Sequence, residues 1–271
     1  MQIESIAALR ITSLTLQTVV DILSSSSYHI QSNSMKFQGR TAIVTGGTGA
    51  LGSRVAEFLF AEGANIAIPY TSEKSLGSIP KNISAKPDRM LAVKADLTDE
   101  KQVQNLVDAV VKRFRSLDIV VNTAGGYIGG KMIEETTVDE MQGIMNLNFI
   151  TTFLVCRSAL RVMRKQNSGR IVNIAAMPAM TPTAKKGPYA ISKRAVVTLT
   201  ETIAEEVKGT GITINAIAPS TIVTEANKQS MPKADSTKWV PPEEIAKLIG
   251  YLCSDEARSL SGNVIKIYGG A

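Results

Sequence analysis

The stretch Thr41-Ala42-Ile43-Val44-Thr45-Gly46-Gly47-Thr48-Gly49-Ala50-Leu51-Gly52 decides the fold. It opens as a short apolar run that reads as a buried strand. A glycine-rich turn follows, and then Val55 and Leu59 recur at helical spacing. The turn holds G-x-G-x-x-G at Gly47, Gly49 and Gly52. Glycine lets the backbone reverse sharply and lets a pyrophosphate approach it closely. The helix that starts there offers free N–H groups and a partial positive charge. Alone the pattern is weak. Between a strand and a helix it predicts a nucleotide site, with Gly46, Thr48, Gly49, Ala50 and Leu51 as the contacting backbone.

Outward from this turn, short apolar strands alternate with helical patterns. Strands are expected at Ile66–Ile68, Met90–Val93, Ile119–Val121, Ile171–Ile174, Ile212–Asn215 and Val264–Ile267. Helices are expected near 138–165 and 188–208, with another marked by Val103, Leu106, Val107 and Val110. Strands that are apolar throughout and separated by helices belong to a parallel sheet covered on both faces. The expected fold class is therefore α/β: a single Rossmann-type, doubly wound domain of seven parallel strands over residues 36–271. Ligands in such sheets sit beyond the carboxyl ends of the strands. Residues 1–35, with Ser24-Ser25-Ser26-Ser27, lack the basic start and apolar core of a secretory signal and read as a disordered leader before Met35-Lys36.

Composition narrows the chemistry. The 271 residues are 44% hydrophobic and 20% charged, ordinary for a globular chain. Thirty basic residues against 24 acidic are dispersed, and aromatics are 5%, so no nucleic-acid partner is expected. The single His, His29, lies in the N-terminal stretch, which argues against Ser-His-Asp catalysis and His-rich metal sites. No metal is expected. Cys156 and Cys253 are far apart and suit a reducing, cytoplasmic setting. No apolar run is read as reaching the roughly 18–20 residues of a membrane span.

After the second strand the chain reads Pro69-Tyr70-Thr71-Ser72, and no carboxylate appears before Glu73. A carboxylate there would accept the ribose hydroxyls of NAD. Its absence, with Thr71, Ser72 and Lys74 at hand, leans toward the 2′-phosphate of NADP over NAD. Further on, Tyr189 and Lys193 stand four apart and share a helix face. A free phenol has a pKa of roughly 10 and is a poor acid at neutral pH. A nearby ammonium favours the phenolate and is expected to lower that value. Lys193 is placed to do this and to hydrogen-bond a ribose.

From Met35 to Ala271 the chain resembles the short-chain dehydrogenase/reductase family. The Thr45–Gly52 turn is similar to its cofactor loop, with Ala50 where compact members usually carry Gly. Asp96-Leu97 resembles its adenine-contacting pair, and Asn122-Thr123-Ala124-Gly125 its N-x-A-G signature. Asn148 matches the Asn that supports a water-linked proton relay to the Lys. Pro219-Ser220, followed by Ile222 and Thr224, resembles the segment that contacts the nicotinamide carboxamide. Tyr268-Gly269-Gly270 is similar to the family's close. The resemblance implies an NAD(P)-dependent oxidoreductase acting on a small carbonyl, hydroxyl or conjugated-ring substrate. Tyr189, Lys193 and Asn148 would be catalytic. The other cofactor contacts would come from the turn, Thr71, Ser72, Asp96, Leu97, Asn122, Ala124, Gly125, Pro219, Ile222 and Thr224. It also implies a homodimer or homotetramer packed through the helices at 138–165 and 188–208.

One departure bears on the chemistry. The family's catalytic Ser usually lies thirteen residues before the Tyr, and here that position is Ala176. Losing one such donor costs roughly 2.7–4 kcal/mol in a transition state. The readings that follow are a substrate that does not need the donor, a hydroxyl from Thr181 or Thr183, or a weak or inactive enzyme. The alternatives to a general reductase are thus a dihydropteridine-reductase-like quinonoid reductase and a non-catalytic dinucleotide sensor or scaffold. The polar, basic stretch Glu225–Lys233 occupies the place of a substrate lid, and Met177, Met180 and Trp239 are candidate pocket residues.

Overall fold

A computed structural model describes residues 35–270. The leader expected at residues 1–35 lies, apart from Met35, outside the described residues. Seven strands form one sheet: β1 (Thr41–Thr45), β2 (Asn65–Tyr70), β3 (Met90–Lys94), β4 (Ile119–Asn122), β5 (Gly169–Ile174), β6 (Ile212–Pro219) and β7 (Val264–Ile267). Their order is β3-β2-β1-β4-β5-β6-β7, and every neighbouring pair is parallel. The order reverses between β1 and β4. Chain leaving these two strands departs in opposite directions and opens a crevice at their carboxyl ends.

The apolar strands are explained by burial on both faces. Ala42, Val44, Ile66, Ile68, Ile119 and Val121 pack beneath helices α1 (Ala50–Ala61) and α6 (Pro242–Cys253). The alternate residues Ile43, Ala67, Val120 and Ile171 pack under α2 (Glu100–Phe114), α4 (Thr151–Gln166) and α5 (Gly187–Glu206). A strand with only one buried face would alternate apolar and polar; these cannot.

Strand β2 runs two residues past the expected end, and Pro69 sits inside it. The N–H of Asn65 donates to Arg40 on the β1 side, and that of Ile66 donates to Arg89 on the β3 side. By alternation residue 69 faces β1, where proline has no N–H to offer. Pairing with β1 stops at Ile43 opposite Ala67, while pairing with β3 continues to Tyr70 opposite Lys94. The two strands therefore part at the tip, at the mouth of the crevice.

The helix expected at 138–165 is interrupted. It runs as α3 (Val138–Met145), a five-residue π turn at Asn146–Ile150, and α4. Thr137 and Glu140 cap its start reciprocally. The wider π turn is anchored by its own neighbours. Thr151 Oγ1 donates to the Leu147 carbonyl and Thr152 Oγ1 to the Asn148 carbonyl, each at 2.9 Å. Taken whole, Val138–Gln166 is long and apolar enough by length and composition to cross a membrane, which corrects the expectation that no run is. Half of its apolar 18-residue stretch is buried within the protein, and its apolar side is used against the sheet.

Candidate active site

The glycine turn has the geometry its composition predicts, with the steric demand redistributed. Gly46 has φ +64°, and a Cβ there would lie 2.9 Å from the Ala124 nitrogen. A Cβ on Gly52 would meet the Gly46 carbonyl oxygen at 2.1 Å, so only glycine lets α1 start this close to the turn. The Gly49 N–H donates to Gly46 O at 2.8 Å. No side chain caps α1, and no acidic residue stands in its first turn. The N-terminal N–H groups of Ala50 and Leu51 are thus left for a ligand, beside exposed Gly49 and half-buried Thr48. An anionic pyrophosphate fits this cradle.

Two threonines join β1 to the chain after β4. Thr123 Oγ1 donates to the Thr45 carbonyl, and the Ala124 N–H donates to Thr45 Oγ1 at 3.1 Å. Ala124 and Gly125 are held at the crevice floor by this staple. Asn122 behaves otherwise. Its side chain is buried between β5 and α4, with Nδ2 donating to Asn173 Oδ1 (2.9 Å) and Cys156 Sγ (3.3 Å). The expectation of a cofactor contact is corrected for that side chain, because an amide at an inward position of a central strand finds its partners in the core. Burial pushes the Cys156 thiol up to about 12, so it is inert there.

Lys193 and Asn148 come together at Gly125, and Tyr189 is tied to Asn148 through Ser192. Gly125 has φ +151°; a Cβ on it would lie 2.5 Å from Asn148 Oδ1 and 3.3 Å from Lys193 Nζ. Asn148 is fully buried in the π turn. Its Oδ1 accepts from the Gly126 N–H (2.9 Å), and its Nδ2 donates to Gly126 O (3.0 Å) and Ser192 Oγ (3.1 Å). Ser192 donates in turn to the Tyr189 carbonyl at 2.8 Å. The sequence reading did not single out Ser192; its place between Tyr189 and Lys193 on the same helix was the available signal. We expect Gly125→Ala to lower turnover at least about 100-fold and to cost roughly 1–3 kcal/mol in stability, because the methyl adds backbone strain and displaces Asn148. Steady-state rates and a thermal melt check both.

The electrostatics differ from expectation. Lys193 does not lower the phenol in this arrangement. Burial pushes Tyr189 up to about 12, and Tyr127 beside it acts in the same direction. Lys193 Nζ donates to the Ile174 carbonyl at 2.8 Å, and its burial holds the ammonium down to about 8. The reason is desolvation, which disfavours the charged form of both groups.

Among the described residues, no cluster of three or more His, Cys, Asp or Glu is arranged to hold a metal ion. A model of the short chain dehydrogenase family matches residues 40–235. The chain belongs to the short-chain dehydrogenase family. Glucose 1-dehydrogenase 2 of Bacillus subtilis is 32% identical over 243 residues, covering 86% of this chain and 94% of that protein. The crystal structure of NAD+-bound xylitol dehydrogenase superposes with TM-score 0.80 at 26% identity, covering 87% of this chain and 100% of the other. The structure of ElxO with NADP bound gives TM-score 0.79 at 29% identity, covering 85% and 98%. The chain is an oxidoreductase of this family.

The remaining residues of this short-chain dehydrogenase line the same edge of the sheet. Thr71 and Ser72 follow β2 and are exposed; Glu73 accepts a hydrogen bond from Tyr70 Oη at 3.3 Å. Asp96 follows β3 with Oδ1 engaged by Thr98, and Leu97 is buried beside it. Pro219 ends β6, and Ile222 bridges to Val240. The Thr224 hydroxyl caps the short helix Glu225–Ser230 by accepting from the Asn227 N–H, so it is committed locally. Ala176 is buried at the start of the turn Met177–Met180, while Thr181 and Thr183 are exposed beyond it. Trp239 is buried, and Met177 and Met180 are half-buried.

Proposed function

We propose that this enzyme reduces or oxidises a small carbonyl, hydroxyl or conjugated-ring substrate with a nicotinamide dinucleotide, NADP in preference to NAD. The observation that carries this is the meeting of Lys193 and Asn148 at Gly125, with Tyr189 linked to Asn148 through Ser192, next to an uncapped glycine turn. When bound, the nicotinamide supplies or accepts the hydride. Tyr189 gives a proton to the substrate oxygen, or takes one in the reverse direction. Burial raises its pKa to about 12, so at neutral pH the phenol is protonated, as a free tyrosine is, and is the weaker acid of the two. Lys193 holds the ribose hydroxyls, and Asn148 positions the Gly125–Gly126 backbone and supports the relay that returns a proton to Lys193. Thr48, Gly49, Ala50 and Leu51 hold the pyrophosphate, and Asp96 and Leu97 flank the adenine. Ala124, Pro219 and Ile222 line the rest. Thr71, Ser72 and Lys74 favour the 2′-phosphate.

Ala176 occupies the position of the family's second hydroxyl donor. A buried methyl there favours substrates whose developing charge is spread over a ring, which is the alternative of a quinonoid reductase. Ala176→Ser should raise the kcat/KM for a simple ketone at least about tenfold, since one oxyanion donor is worth roughly 10²–10³ in rate. An unchanged value would mean that another group already supplies the donor. The test of the whole reading is a nicotinamide-absorbance screen of ketones, quinones and quinonoid pterins with NADPH and NADH in parallel. Saturable dinucleotide binding without turnover would favour the sensor or scaffold.

We also infer a homodimer or homotetramer in the cytoplasm. The groove between α4 and α5 exposes Phe153 and Ile191 beside Phe149, Ala195 and Leu199 and suits a second copy of the chain. Free, buried Cys156 and Cys253 suit a reducing compartment.

A further inference from the structure

Tyr127 takes no part in the mechanism above, yet its ring stands edge-on to the Tyr189 ring. The centroids are 5.0 Å apart and the planes lie at 82°. The residue is 57% exposed, and its loop neighbours Ile128 and Met132 are 50% and 41% exposed. Exposed apolar side chains that adjoin one another mark binding surfaces.

The loop is built to hold that ring in place. Gly130 N–H donates to the Lys185 carbonyl at 2.8 Å, tying the loop to the segment that leads into α5. Lys131 pairs with Glu140 of α3, and the Met132 N–H donates to Glu135. A Cβ on Gly129 would lie 2.4 Å from Tyr127 Oη, so glycine at 129 makes room for the phenol. The edge-to-face contact itself is worth roughly 0.5–1.5 kcal/mol.

Two independent observations then point to one substrate class. Ala176 brings no hydroxyl, so a carbonyl gains little there from hydrogen bonding. Tyr127 instead offers an aromatic ring next to Tyr189, on a loop that also exposes Ile128 and Met132. We propose that Tyr127 is a specificity-determining residue, forming an aromatic wall that selects planar, conjugated-ring carbonyls such as quinones over aliphatic ketones. This rests on the reading of Tyr189 as the proton donor. In the reduction of a quinone, two electrons and one hydrogen arrive on the conjugated system as hydride, and one proton reaches oxygen from Tyr189. The sum is the hydroquinone, and Tyr189 recovers its proton from water.

The test uses naphthoquinone and cyclohexanone as probes with the full-length wild type, Tyr127→Leu and Tyr127→Phe. The expected result is that Tyr127→Leu lowers the naphthoquinone-to-cyclohexanone ratio of kcat/KM about tenfold, mainly through KM, as loss of a good aromatic contact would. Tyr127→Phe should keep the ratio within about threefold, because the ring and not the hydroxyl carries the preference. In a Tyr189→Phe background, where turnover does not interfere, Tyr127→Leu should weaken naphthoquinone quenching of intrinsic fluorescence by a similar factor. An unchanged ratio in Tyr127→Leu, a collapse in Tyr127→Phe, or a wild type that reduces cyclohexanone but not naphthoquinone overturns the inference. A wild type that reduces neither probe with either dinucleotide overturns the reading of Tyr189 beneath it as well.

Discussion

Tyr189→Phe should reduce turnover by about 10²–10⁴-fold, the usual contribution of a positioned general acid or base. The substitution isolates chemistry from architecture. Among the described residues the Tyr189 hydroxyl makes no hydrogen bond, while its ring packs edge-on against Tyr127 and its carbonyl accepts from Ser192. Phenylalanine keeps the ring and the carbonyl. Thermal stability should therefore change by no more than about 0.5 kcal/mol, as for a substitution that touches no buried partner. Dinucleotide affinity, read by fluorescence titration, should stay close to that of the wild type. Turnover that survives in the variant would remove Tyr189 from the proton step.

Lys193→Met should do two opposite things: abolish measurable turnover and stabilise the ligand-free protein. Lys193 is buried, and the Ile174 carbonyl is the one hydrogen-bond partner its ammonium has among the described residues. Its pKa falls from 10.5 to about 8 through desolvation. At about 1.4 kcal/mol per pK unit, the charged form is disfavoured in the fold by on the order of 3 kcal/mol. The sign follows from linkage. With the folded pKa below the unfolded one, the native state binds fewer protons between these two values, so stability rises with pH there. The cost is fully present below pH 8 and disappears by about pH 10.5. Methionine, of similar length and uncharged, avoids it. The melting temperature near neutral pH should rise by roughly 5–10 °C for a chain of this size, and the gap should shrink as the pH is raised from 8 to 10.5. A variant less stable than the wild type at pH 7 would mean that the hydrogen bond to Ile174 outweighs the desolvation. A rise in stability with loss of function is the pattern expected of a strained site.

The amino-acid sequence by itself determined the seven strands, their parallel sheet, and the placement of the glycine turn between β1 and α1. These are local matters. Apolar runs too uniform to be half-exposed, interrupted by helical periodicity, admit few other packings, and the demand for glycine at 52 arises from Gly46 within the same strand–turn–helix unit, although that at Gly46 also answers to Ala124 beyond β4. The pairing of Tyr189 with Lys193 was legible for the same reason, because one helical turn separates them. What only the tertiary structure decided are properties summed over distant segments. The side chain of Asn148 is held by Gly126 and Ser192, 22 and 44 residues away. Asn122 turned inward because Asn173 and Cys156 awaited it there. The directions of the Tyr189 and Lys193 pKa values follow from desolvation by the whole surrounding fold, which no i,i+4 spacing encodes. Tyr127 meets Tyr189 from a loop that the Gly130 N–H ties to the Lys185 carbonyl. Spacing along a chain specifies neighbours within a turn or two; burial and the meeting of remote loops are specified by the packing of the entire sheet.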